Sequence, residues 1–216
     1  MIQPQPLPKS RLEALTDGIF AVTMTLLVLD LKFMDRVSGD PARVWHDLAA
    51  LGPYIDDYVI SFVVLCVFWL AHLRLIKRVR DVDATFTWLN LAFLLFTTFV
   101  PPLTSWVGHE STQPAAAVVY GCNLVLILTA ETLMWRRACL HLANETVTEP
   151  EALWRAIRAR FFVAAGVIVS GIAAALIEIR YATNVGYASY VYLLLIALGL
   201  VRPKMTRPDV RRAGER

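Results

Sequence analysis

Residues 11–32 read RLEALTDGIFAVTMTLLVLDLK, an apolar stretch of about the length that a membrane-spanning helix requires. One acid, Asp17, lies one to two helical turns after the beginning of this stretch. An ionised side chain at the centre of a bilayer costs roughly 2.5–3.5 kcal/mol on insertion scales, and less near the end of a helix. Asp17 therefore needs a partner, which is either a basic side chain at the membrane boundary or a polar group on another helix.

The rest of the chain is also typical of a membrane protein. Its 216 residues are 57% hydrophobic and 18% charged, and the mean hydropathy of +0.54 lies outside the range of ordinary soluble domains. Apolar runs of bilayer length predict six helices, at about 12–32, 54–75, 84–106, 114–136, 160–180 and 185–203. Pro101 and Pro102 are expected to kink or end the third helix. The short connections predict one all-α, polytopic integral membrane domain over residues 1–216.

The basic residues predict the orientation of the six helices. With a cytoplasmic N-terminus, all but four of the 21 Lys and Arg residues fall inside; the exceptions are Lys32, Arg36, Arg43 and Arg180. This positive-inside asymmetry predicts that both termini are cytoplasmic, and it explains the basic residues without a nucleic-acid partner. The outer side is acidic, and acids such as Asp30 would raise the local concentration of cations. Ordinary solvated loop residues are an equally good interpretation of any one of these acids.

The beginning of the first helix resembles a known signature. Arg11-x-x-x-Leu15-Thr16-Asp17 is similar to the Arg-x-x-x-Phe-Ser-Asp signature of the endolysosomal potassium-channel family and its bacterial relatives. Leu15 and Thr16 are chemically conservative replacements of the signature Phe and Ser. The resemblance continues through Phe68-Trp69-x-x-His72 and Asn90, so it covers about the first half of the chain.

This resemblance implies the architecture and activity of the protein. It implies a homotetramer of six-helix subunits, as a multi-pass protein of the cell membrane, with the first helix of each subunit lining a central pathway for potassium ions. A passive channel of this kind is not an enzyme, and it needs no cofactor and no bound metal other than the permeant potassium ion. The same resemblance implies a structural polar network at the cytoplasmic ends of the first three helices, formed by Arg11, Asp17, His72 and Asn90.

The resemblance also implies which residues narrow the pore. The constriction positions of the family lie five, eight and twelve residues after the signature Asp, and they correspond here to Val22, Thr25 and Leu29. The family usually has Leu or Ile where this chain has Val22, so the first apolar ring is expected to be slightly wider here. On this assignment, Thr16, Thr23 and Asp30 would face neighbouring helices.

Helical periodicity alone does not choose the pore-facing side of the first helix. Thr16, Thr23 and Asp30 repeat every seven residues and form one stripe, whereas Thr25 lies half a turn away from Thr16. Either side could face ions, and a helix that is buried throughout is a third interpretation. Only the resemblance favours the side that carries Thr25.

Two other classes of function fit the sequence less well. A small secondary transporter of cations or protons would usually show repeated halves or broken helices with charged sites at mid-membrane. A membrane enzyme would need a convergent catalytic set or metal ligands, and His72 is the only histidine predicted inside a helix. Residues 184–188, NVGYA, resemble the TVGYG filter of ordinary potassium channels. The short connection before them leaves no room for a pore helix, so we interpret this likeness as coincidental.

Overall fold

The computed structural model describes residues 8–29, 44–109, 114–142 and 150–181. Every secondary-structure element in these ranges is helical, which confirms the predicted all-α class for them. The elements are α1 (Lys9–Leu29), α2 (Val44–Ala50), α3 (Gly52–Ile76), α4 (Ala84–Thr98), α5 (Val100–His109), α6 (Pro114–Arg137) with a π-helical extension (Ala138–Leu142), and α7 (Pro150–Tyr181).

Five segments of the described residues are long and apolar enough to cross a membrane. They are Lys9–Leu29, Ile55–Ile76, Ala84–Val107, Ala115–His141 and Glu151–Tyr181. They correspond to the first five predicted helices, although α7 begins at Pro150 and not near residue 160. The sixth predicted helix, 185–203, and the NVGYA stretch lie outside the described residues. The cytoplasmic placement of the termini stays a prediction.

The third span is interrupted where the two prolines were expected to act. α4 ends at Thr98 and α5 begins at Val100. Pro101 and Pro102 have no amide hydrogen to donate to the carbonyl groups one turn earlier, so the regular ladder cannot continue through them. The amide of Phe99 bonds the carbonyl oxygen of Phe96 at 3.2 Å, a tighter turn than an α-helix makes.

The described helices pack around α6, which contacts α4, α5 and α7, while α1 lies against α3, α4 and α5. Aromatic rings fill the contact between α1 and α4, where the centroids of Phe20 and Phe93 are 5.7 Å apart. One side of α1 is thereby buried; it consists of Leu12, Thr16, Phe20, Thr23 and Leu27. The opposite side of α1 is exposed.

Polar contacts join the helix ends near the N-terminus of α1. Lys9 Nζ donates a hydrogen bond of 2.8 Å to the carbonyl oxygen of Val79, which places the start of α1 beside the end of α3. Asp83 caps α4, since its Oδ1 accepts from the amide of Phe86 at 2.8 Å. Its Oδ2 accepts from Arg137 Nε at 2.9 Å and also from Nη2 of the same guanidinium. Asp83 therefore connects the first turn of α4 to the last turn of α6.

The pKa of Asp83 reflects these contacts. Partial burial acts to raise the pKa of this carboxyl, but the hydrogen bonds from Arg137 and from the Phe86 amide, with the charge of Arg137, hold it below its usual value. Because the folded pKa is lower than the unfolded one, the ionised carboxylate stabilises the fold. That contribution is complete above the unfolded pKa, about 3.9, and is lost as the pH falls through the folded pKa.

We expect Asp83→Asn to lower the thermal midpoint of the detergent-solubilised protein at pH 7, because the ion pair with Arg137 is lost while an N-cap oxygen is kept. Asp83→Ala loses the N-cap as well and should lower the free energy of unfolding by about 1 kcal/mol more. The difference between wild type and Asp83→Asn should shrink below about pH 4. Asp81→Asn is the control, since Asp81 pairs with Arg80 in an exposed position. Equal effects of Asp81→Asn and Asp83→Asn would contradict the assignment.

Candidate functional site

The two sides of α1 differ in what covers them. Thr16 and Thr23 are buried against the helices of the same subunit, with exposed fractions of 1% and 2%. Val22, Thr25 and Leu29 lie on the uncovered side, where Val22 is 55% and Leu29 is 67% exposed. Of the two sides that periodicity left open, the one that carries Thr25 is therefore the one available to a second subunit, to lipid or to ions.

Thr16 on the buried side makes a polar contact between α1 and α4. Its hydroxyl donates to the carbonyl oxygen of Leu12 at 2.9 Å, as is common for threonine in helices. Asn90 Nδ2 donates to Thr16 Oγ1 at 3.1 Å, and the Asn90 side chain is fully buried. A buried amide without a partner is costly in a bilayer, so this bond fixes α1 against α4.

Asp17 makes a separate contact between α1 and α3. Trp69 Nε1 donates to Asp17 Oδ1 at 2.9 Å. An indole N–H is an ordinary donor for a polar group close to the membrane boundary, where tryptophan is enriched. The partner that Asp17 required is thus a tryptophan. Sequence reasoning recorded Trp69 within the resemblance but assigned it no role.

His72 lies in the same region, on the next turn of α3, and is 2% exposed. Its ring stacks on Phe93, with the centroids 5.4 Å apart and the ring planes 13° from parallel. Within the described part of the chain, neither ring nitrogen of His72 has a hydrogen-bond partner. Asp17 is the acid whose charge acts on this ring.

The structure arranges the four residues of the predicted network as separate contacts. Asn90 bonds Thr16, Asp17 bonds Trp69, and His72 stacks on Phe93. Arg11 is exposed, and among the described residues no hydrogen bond or ion pair joins it to Asp17, His72 or Asn90. The polar connections between α1, α3 and α4 therefore pass through Thr16 and Trp69. A joint role of the four residues stays a prediction.

On the exposed side of α1, Thr25 is the residue with chemistry to offer an ion. Its Oγ1 donates to the carbonyl oxygen of Val22 at 2.8 Å. A threonine hydroxyl has one proton and two lone pairs, so this bond uses the donor and leaves acceptor capacity directed away from the backbone. Val22 and Leu29 lie one turn on either side of Thr25. Asp30, the predicted outer acid, lies outside the described residues.

Residues 11–101 match the family described as endosomal/lysosomal potassium channel TMEM175. A potassium channel from Streptomyces collinus is 34% identical to this chain over 157 residues, which cover 70% of this chain and 74% of that protein. The chain belongs to the TMEM175 family. The matched segment includes the residues that join α1 to α3 and α4 in this site: Thr16, Asp17, Trp69, His72, Asn90 and Phe93.

Other members of the TMEM175 family are also similar to the chain. Two match in sequence over a smaller share of their length, and one matches in fold. A potassium channel from Chamaesiphon minutus is 30% identical and is covered over 68% of its length. The human endosomal/lysosomal proton channel TMEM175 is 30% identical, but the match covers only 30% of it. The crystal structure of a lysosomal potassium-selective TMEM175 homologue from Chamaesiphon minutus superposes with a TM-score of 0.71 over 89% of this chain and 98% of that one, at 24% identity. That likeness shows a common fold.

The contact between Thr16 and Asn90 can be tested with a matched pair of variants. Thr16→Val keeps the side-chain shape but leaves the Asn90 amide without its partner. The loss should lower the free energy of unfolding by roughly 1–3 kcal/mol. Thr97→Val is the control, because Thr97 is equally buried and, among the described residues, its hydroxyl bonds the carbonyl oxygen of Phe93 in its own helix, at 2.8 Å, and no other helix. Thermal midpoints in detergent should fall more for Thr16→Val. Equal losses would mean that the bond between the helices contributes nothing.

Proposed function

We propose that this chain is a potassium-permeable channel of the cell membrane, a homotetramer in which α1 of each subunit lines a central pathway. Relatives that are 34% and 32% identical to this chain over 157 and 128 residues are named potassium channels. The observation that carries the proposal is the uncovered side of α1. A single copy of α1 cannot enclose a pathway, so several copies are required.

The exposed side of α1 has the spacing of a helix that packs against copies of itself. Five exposed residues follow one another at intervals of three and four: Leu15, Gly18, Val22, Thr25 and Leu29. We call this row of residues the seam. This is the a and d pattern of parallel helices around a common axis.

The residues at this seam support passage of a dehydrated cation. Rings of Val22 and Leu29 would form narrow apolar constrictions, which control conduction by dewetting. Between them, a ring of Thr25 hydroxyls would present oxygen lone pairs, since each proton is held by the carbonyl oxygen of Val22. Oxygen ligands that replace the hydration shell are what a potassium pathway needs. Asp30 would attract cations at the outer mouth.

Flux measurements on proteoliposomes that contain the purified protein identify the permeant ion. We expect potassium efflux that a proton ionophore accelerates by dissipating the opposing charge. Proton flux without potassium flux would overturn the potassium proposal. That outcome would place the chain with the human relative, which is named a proton channel.

Three substitutions test the seam. Thr25→Val should reduce the preference for potassium over sodium, because it removes the hydroxyl ring and keeps the shape. Leu29→Ala should raise leak more than Val22→Ala does, because the ring of Val22 is already the wider one. Each result is a flux ratio measured at equal protein content.

Two controls accompany these variants. Thr98→Val removes another exposed hydroxyl, one that bonds the carbonyl oxygen of Leu95 on α4, and Thr23→Val removes a hydroxyl from the buried side of α1. Both should leave ion preference unchanged. If Thr23→Val alters it and Thr25→Val does not, the pore lies on the other side of α1. A monomer in native mass spectrometry under mild detergent would contradict the tetramer.

A further inference from the structure

A small cleft lies beside the N-terminal half of α3 and is partly open to the surroundings. Three helices line it, with no contribution from α1: α3 provides Asp57, Ile60 and Ser61, α5 provides Thr104 and Val107, and α6 provides Ala117 and Tyr120. Nothing in the proposed pathway uses these residues.

Three buried hydroxyl groups meet at the wall of this cleft. Thr104 Oγ1 is 2.8 Å from Ser61 Oγ, and Ser61 Oγ is 3.1 Å from Tyr120 Oη. Thr104 Oγ1 also lies 2.8 Å from the carbonyl oxygen of Val100, and it is within hydrogen-bonding reach of Tyr120. All three side chains are less than 8% exposed.

The hydroxyl cluster has oxygen lone pairs to offer to the cleft. Each hydroxyl carries a single proton and two lone pairs. The three hydroxyls of Ser61, Thr104 and Tyr120 therefore carry six lone pairs, more than their three protons can occupy. What remains for an occupant of the cleft is a set of oxygen lone pairs.

Asp57 adds a carboxylate to these acceptors. It lies one helical turn before Ser61 on α3, is half-buried, and is close enough for its charge to act on Tyr120. The neighbouring acid Asp56 is exposed and adds to the negative potential at the opening. An anion would find only repulsion here. A cation would find a carboxylate and neutral oxygens, which are the ligands that hard cations prefer.

We propose that this cleft binds one monovalent alkali cation in each subunit, at Asp57 with the Ser61 and Tyr120 hydroxyls. A calcium or magnesium ion is disfavoured, since such sites use more charge or ideal octahedral geometry and the cleft holds one carboxylate. The bound cation would bridge α3 and α6. The site is independent of the proposed pathway and would exist even if the assembled protein conducted nothing.

Anomalous diffraction with thallium(I) as the probe tests the proposal. Crystals of the wild-type protein grown without alkali cations and soaked in a thallium(I) salt should show an off-axis peak in every subunit, beside Asp57. Asp57→Asn should abolish that peak, and Tyr120→Phe should weaken it at the same soak concentration. Asp56→Asn, the matched control, should retain it. Peaks on the symmetry axis report the pore separately, so failure of one proposal is distinguishable from failure of the other.

Stability in solution gives a second readout, which does not depend on crystals. Thermal midpoints measured in an N-methylglucamine buffer should rise when potassium or thallium(I) is added to the wild type and to Asp56→Asn. They should not rise for Asp57→Asn. A peak that persists in Asp57→Asn would overturn the site. The absence of a thallium(I) peak from the wild-type cleft would also overturn the site, since the cleft would then hold water or Asp57 would be protonated.

Discussion

Water is absent from the interior of a bilayer, so a polar side chain there must find its hydrogen-bond partner within the protein. The described helices satisfy this constraint with bonds between elements. Asn90 on α4 bonds Thr16 on α1, and Asn123 Nδ2 on α6 donates to the carbonyl oxygen of Phe96 at 3.1 Å, beside the interruption at Phe99. Each bond fixes the rotation of one helix against another, because turning either helix would leave a polar group in an apolar environment.

The orientation of α1 is the main functional consequence of these bonds. Once Thr16 is held by Asn90, helical geometry turns Thr23 towards the same subunit, since the two are seven residues apart. The opposite side, with Val22, Thr25 and Leu29, must then point away from the subunit. Trp69 adds a second restraint through Asp17. The side of α1 that we propose for an ion pathway is thus selected by contacts within the subunit.

The sequence predicted the five spans that the structure describes, because bilayer length and hydropathy act on each segment alone. It also placed Asp17, His72 and Asn90 at one level of the membrane. It could not say that Asn90 would bond Thr16, or that Asp17 would bond Trp69, because those choices depend on the rotation of each helix. The cleft around Tyr120 was missed for the same reason. Ser61, Thr104 and Tyr120 come from three helices, and no spacing along the chain connects them.

A hydroxyl bonded to its own helix is weak evidence for an ion site. Thr98 bonds the carbonyl oxygen of Leu95 at 2.7 Å, and Ser170 bonds that of Val167 at 2.7 Å, both in exposed positions. Such bonds satisfy the donor wherever a small hydroxyl residue faces lipid. The spacing of its exposed neighbours does not set Thr25 apart, because exposed residues also recur at intervals of three and four around Thr98 on α4 and Ser170 on α7. Thr25 differs because it lies on α1, the helix that the family resemblance assigns to the pore. The proposed role of Thr25 therefore depends on that resemblance.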